Sequence, residues 1–236
     1  MKSINIFLLP LRSALFILTG LLLYFALNRP PDELSKWWTV IVSACNVFTL
    51  LLLFFVFRST GTTYSKFVNY EKGKTKIKAV VITVIVVLVV GMGGMQIAGL
   101  ICYGEVPHFP VMMIQPIPLW IALINILLLP LTTTLAEDGI YLGVLNQSDS
   151  KFVLLLSVFF YAFQHSFIPF SFDFTFIIYR FLSFLPLTII MCLWYRKNKN
   201  PLPFMIGHFV INLATVAQIV MTSASPDIFE QMIRVT

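Results

Sequence analysis

Three features of this 236-residue chain predict an all-α fold, a polytopic transmembrane helix bundle of about seven spans. The first is composition: 58% of the residues are hydrophobic and 11% charged, with a mean hydropathy of +0.91. Soluble domains carry about a quarter charged residues. The second is segmentation. Apolar residues gather into runs at about 4–27, 37–57, 79–103, 118–147, 152–170, 174–195 and 202–224, each close to the roughly 20 residues that a helix needs to cross a bilayer. The third is that most lysines and arginines lie in short loops between these runs, as topology signals do. The net charge of +6 therefore reads as membrane topology, not as a nucleic-acid surface.

The first run is too long for a signal-peptide core and has no small-x-small cleavage site, so it is expected to stay as an anchor. It carries Arg12. The second opens on Trp37-Trp38. With Trp120 and Trp194 near other segment ends, these suggest an aromatic belt. The third ends in GMGGMQIAG (91–99), whose small residues invite close helix packing. No strand precedes those glycines, so they are not a nucleotide-binding loop. The proline-rich stretch 104–118, with His108, reads as interfacial.

The fourth run contains Pro130, Thr132-Thr133-Thr134 and Glu137-Asp138. Such polar content is tolerated where neighbours satisfy it, which places this helix inside the bundle. His165 lies in the aromatic fifth run, Arg180 in the sixth, and His208 with Asn212 in the seventh. The organisation is three spans and a basic loop in 1–117, a four-span core in 118–224, and a short tail in 225–236. Cys45, Cys102 and Cys192 sit in or at apolar runs without ligand-like spacing, and read as inert thiols.

Orientation follows from charge. The 58–78 loop holds Arg58, Lys66, Lys72, Lys74, Lys76 and Lys78; Arg196, Lys197 and Lys199 follow the sixth run; Lys151 and Lys2 complete the set. Placing these inside puts eleven of the sixteen basic residues on the cytoplasmic side. Arg29, Lys36 and Arg234 fall outside. The chain is thus expected in a cell membrane, multi-pass, with a cytoplasmic N-terminus.

Ionisable groups inside spans are expensive and mark function by default. Counting about 1.5 Å per residue from the nearest cytoplasmic loop, Glu137 lies roughly 16 Å deep and His165 roughly 21 Å. By the same rise, His208 lies roughly 13 Å deep and Asn212 roughly 19 Å. Four residues from three helices thus share one slab. His208 and Asn212, at i and i+4, share a helix face. Glu137 and Asp138 point about 100° apart, so one leads and the other needs its own partner.

This set suits hydrolysis in either of two ways. A buried glutamate can act as general base toward water while histidine and asparagine stabilise an oxyanion. Alternatively, Glu137, His165 and His208 can hold zinc with one position left for water. A haem held between the two histidines would have no use for the acids and Asn212. A proton-coupled transporter is disfavoured by the absence of an internal repeat.

The three polar segments resemble the motifs of the CPBP family of intramembrane proteases, also called the CAAX-protease or bacteriocin-processing family. Its Glu-Glu-x-x-x-Arg motif is matched by Glu137-Asp138-Gly139-Ile140-Tyr141-Leu142. Its Phe-x-x-x-His motif is matched by Tyr161-Ala162-Phe163-Gln164-His165, and its His-x-x-x-Asn/Asp motif by His208-Phe209-Val210-Ile211-Asn212. The resemblance spans about 118–224. It implies an intramembrane endopeptidase that cuts membrane-associated peptides or prenylated or other protein C-terminal tails, with bacteriocin self-immunity or peptide maturation as bacterial roles. It also implies that Glu137 activates water and that His165, His208 and Asn212 polarise the carbonyl, stabilise the oxyanion or bind a metal. Three positions depart from the pattern: Asp138 for glutamate, Leu142 for arginine and Tyr161 for phenylalanine. Without an arginine at 142, Asp138 lacks its i+4 counter-ion. Arg180 could replace that charge from another helix, or it could snorkel outward near Asp173. The loss also motivates a second reading, a non-catalytic immunity or partner-binding protein of the same fold.

Overall fold

The computed structural model describes residues 6–106 and 113–234. Lys2, His108 and residues 107–112 of the 104–118 interfacial stretch lie outside the described residues. A 3-10 turn, Ile6–Leu8, leads into α1 (Leu11–Leu27), followed by α2 (Pro31–Ser35), α3 (Trp38–Thr60), α4 (Tyr64–Phe67) and α5 (Ile77–Tyr103). Next come α6 (Leu119–Thr133), a π turn (Thr134–Asp138) and α7 (Gly139–Asn146). After α8 (Lys151–Phe163) and a 3-10 turn (Gln164–Phe167) come α9 (Phe174–Asn198), α10 (Leu202–Ala224) and α11 (Pro226–Arg234).

Among the described residues, six helical segments are long and apolar enough to cross a membrane, with Leu119–Asn146 counted as one, and Lys151–Phe167 is a shorter apolar seventh. The chain is a polytopic helical bundle of about seven spans. The fifth apolar run differs in detail: its α-helix stops at Phe163 and tightens into the 3-10 turn that carries His165. The tail after 224 carries the helix α11.

Bilayer helices lack a hydrophobic drive toward one another and associate through close packing and buried hydrogen bonds. Both devices are present. α5 packs most extensively on α9, and Gly94 lies so close under the Ser183 carbonyl that a Cβ there would collide with it. Gly91 faces Ile211 and Leu187. The threonine run finds its reason in α3, where Asn46 Nδ2 donates to Thr132 Oγ1 at 3.3 Å and Thr133 Oγ1 at 2.8 Å. Two turns away along the same pair of helices, Asn125 Nδ2 donates to Thr39 Oγ1 at 3.2 Å. Each such interhelical bond contributes on the order of 0.6 kcal/mol.

Apolar side chains, by contrast, face outward. Ile85, Val89 and Ile97 of α5 and Leu123, Leu127 and Leu131 of α6 are exposed. The helix-four segment is therefore only half interior: α6 keeps an outer face, whereas α7 is buried from Gly139 to Leu145. Trp38 departs from the expected aromatic belt. It does not belong to a surface belt but is buried, with Nε1 donating to the Met113 carbonyl at 2.9 Å. Cys45 and Cys192 are buried free thiols, and Cys102 is half-buried.

Candidate active site

The site is built around the π turn. Wider than an α-turn, a π turn leaves backbone groups to be satisfied from elsewhere. Tyr64 of the loop helix α4 reaches under it and donates its hydroxyl to the Leu135 carbonyl at 2.8 Å. Burial, with Asp138 nearby, pushes the Tyr64 phenol well above its usual range, so it stays a donor. Gly139 leaves room for that ring, since a Cβ there would lie 2.9 Å from Tyr64 Cε2. The turn directs Glu137 and Asp138 to separate partners, both acids being shielded at 1% and 0% exposure.

Glu137 Oε1 lies 3.2 Å from His165 Nε2 and 3.9 Å from His208 Nε2. Its Oε2 accepts from Arg12 Nη2 at 3.3 Å. Arg12, fully buried in α1, also donates through Nε to Gln164 Oε1 at 2.6 Å and through Nη1 to Thr49 Oγ1 at 3.4 Å. The charge absent at position 142 is thus present beside the other acid, delivered from α1. Arg180 takes neither expected place. It is buried, donates through Nε to the Ile168 carbonyl at 2.9 Å and lies over Phe184.

Asp138 does not stand unpaired either. Its Oδ1 accepts from the Tyr161 hydroxyl and from His208 Nδ1, the latter at 3.1 Å. Two departures from the family pattern therefore fit each other, because a phenylalanine at 161 could not make the first of these bonds. Holding Nδ1 turns Nε2 of His208 toward Glu137. His165 is fixed by stacking on Phe184, ring centres 3.6 Å apart and 6° from parallel.

Glu137, Tyr161, His165, His208 and Asn212 line one cavity of about 250 Å³ whose other walls are mostly apolar, including Val87, Leu129 and Ile211. Asn212 Nδ2 is buried there without a hydrogen-bond partner. A buried donor left free in a cavity is an exception that calls for a reason. Asp138 stands behind His208 and is not part of the wall.

Glu137, His165 and His208 are held by hydrogen bonds and an ion pair. Zinc holds imidazole nitrogens at about 2.0–2.1 Å around one point. Here one Glu137 oxygen bonds His165 and the other pairs with a guanidinium. Among the described residues no group of three His, Cys, Asp or Glu side chains is disposed to hold an ion.

Residues 115–214 match the family model described as type II CAAX prenyl endopeptidase Rce1-like. The match takes in all three polar segments and is consistent with a CPBP-family intramembrane protease. It supports an intramembrane endopeptidase whose substrates are membrane-associated peptides or proteins. No curated protein and no solved structure matches the chain. Arg12, Thr49 and Tyr64 lie outside the matched stretch. The signal that points to Arg12 is the same one that marked the acids: a charge in a span needs a partner.

Proposed function

We propose that the chain is a glutamate-type intramembrane endopeptidase acting on hydrophobic peptides or protein C-terminal tails held in the cell membrane. The observation that carries this reading is the cavity, where a general base, two imidazoles and an unpartnered amide donor meet among apolar walls. Glu137 takes a proton from water as the oxygen adds to the peptide carbonyl. The oxyanion receives a hydrogen bond from Asn212 Nδ2 and, with His208 in its imidazolium form and Nδ1–H held by Asp138, a second from His208 Nε2. Collapse breaks the C–N bond, and the proton held by Glu137 passes to the leaving amine. Asp138 and Tyr161 orient His208, while Arg12 and His165 orient Glu137. The loops carrying most of the basic residues face the cytoplasm in this reading, with the N-terminus on the same side.

Glu137→Gln keeps the shape and removes the base. Cleavage of a membrane peptide, read by mass spectrometry, should fall at least about 100-fold. Full activity in that variant would sink the mechanism. Activity in the wild-type chain should also survive chelators, and loss that zinc restores would overturn the glutamate assignment. Bacteriocin self-immunity is the biological role this reading favours. The change to Leu142 supports the non-catalytic alternative, which predicts that Glu137→Gln still protects cells in a bacteriocin challenge.

A further inference from the structure

One charged group in the cavity wall has no part in the proposed chemistry. Arg180 of α9 is 3% exposed and lines the cavity. Its Nε is bonded to the Ile168 carbonyl. Among the described residues no carboxylate lies in ion-pair range and no hydrogen bond takes its two terminal nitrogens. The nearest acid in sequence, Asp173, is occupied in capping α9, accepting from the Thr175 and Phe176 amides. A guanidinium stays charged in a protein, and a buried charge without a counter-ion is strongly unfavourable. The cavity is therefore electrostatically incomplete without an anion.

The geometry narrows that anion. With Nε taken, Nη1 and Nη2 remain as a planar pair, the fork that matches a carboxylate. Phe184 touches both Arg180, at 4.9 Å, and His165, at 3.6 Å, so the guanidinium lies within 8.5 Å of the His165 ring centre. A volume of about 250 Å³ is below the roughly 300–1,000 Å³ of drug-sized pockets. It suits the end of a chain more than a segment passing through. A peptide has two ends, and Arg180 repels the ammonium one.

We propose that Arg180 anchors the free C-terminal carboxylate of the bound peptide and so determines specificity; this rests on the endopeptidase reading. The test uses the full chain in detergent micelles, carrying Glu137→Gln so that no peptide is consumed. The probes are a dye-labelled S-farnesylated octapeptide with a free C-terminus and the same peptide as its C-terminal amide. The acid should bind about 10- to 100-fold more tightly than the amide. With Arg180→Gln added, the two should bind within about twofold of each other, and Arg180→Lys, which keeps the charge without the fork, should keep part of the preference. Loss of packing alone would weaken both peptides and leave their ratio unchanged. Equal binding of acid and amide with Arg180 present, or a preference that survives both substitutions, overturns the anchor. An acid preference in a wild-type chain that cuts neither peptide defeats the protease reading and leaves the anchor standing. Equal cleavage of both peptides does the reverse.

Discussion

Arg12→Met tests the most consequential contact that local sequence conceals. The substitution keeps length and apolar bulk in α1 but removes three donors: one to Glu137 at 3.3 Å, one to Gln164 at 2.6 Å and one to Thr49 at 3.4 Å. Removing one partner of a buried ion pair costs about 3–5 kcal/mol, because the other charge is left uncompensated. Glu137 keeps its His165 contact, so the lower end applies, about 3 kcal/mol. Most of that penalty belongs to the stranded carboxylate. Adding Glu137→Gln should therefore recover about 1–3 kcal/mol, a non-additivity typical of residues in direct contact. Equilibrium unfolding of the wild type, both single variants and the double variant in micelles gives the cycle. If the two effects add to within about 0.5 kcal/mol, the pair is not coupled and Arg12 does not serve as the counter-ion of Glu137.

Two further outcomes are expected. Asn212→Ala should lower kcat about 10²- to 10³-fold with little change in KM, as loss of one oxyanion donor does; a change confined to KM would place Asn212 in substrate binding instead. Gly94→Val should break the α5–α9 contact, because its Cβ would meet the Ser183 carbonyl. Overpacking of this kind costs about 1–3 kcal/mol, seen as a lowered unfolding midpoint, and an unchanged midpoint would show that the helices can separate freely there.

The spans were legible because a bilayer imposes length and apolarity on each one, and those survive in composition alone. The polar residues of the candidate site stood out for the complementary reason, since little else in those runs is titratable. What local sequence hid was pairing. Arg12 meets Glu137 across 125 positions, and nothing near either residue announces it. Arg180 looked like a substitute for the missing arginine because it was a charge in the core segment, yet Ile168 holds it elsewhere. Asp138 looked stranded by its own helix because the i+4 rule sees one helix only. Its partners, Tyr161 and His208, come from α8 and α10. Trp38 is hidden for a similar reason: nearness to a segment end is a one-dimensional cue, and burial is decided by what lies alongside.

The π turn carries a consequence for how this chain tolerates change. Deleting one residue from a helix rotates everything beyond it by about 100° and draws it back about 1.5 Å. Downstream of Thr134–Asp138 lies α7, enclosed on every side, with Gly139 against Tyr64 and Gly143 against the Phe67 ring. A single deletion in the turn would swing Ile140 and Val144 toward the places that Gly139 and Gly143 keep open. Packing therefore constrains the length of this stretch, as the chemistry constrains Glu137 within it. Substitutions such as the Asp, Leu and Tyr found at 138, 142 and 161 can be absorbed by neighbours, whereas a one-residue change in spacing cannot.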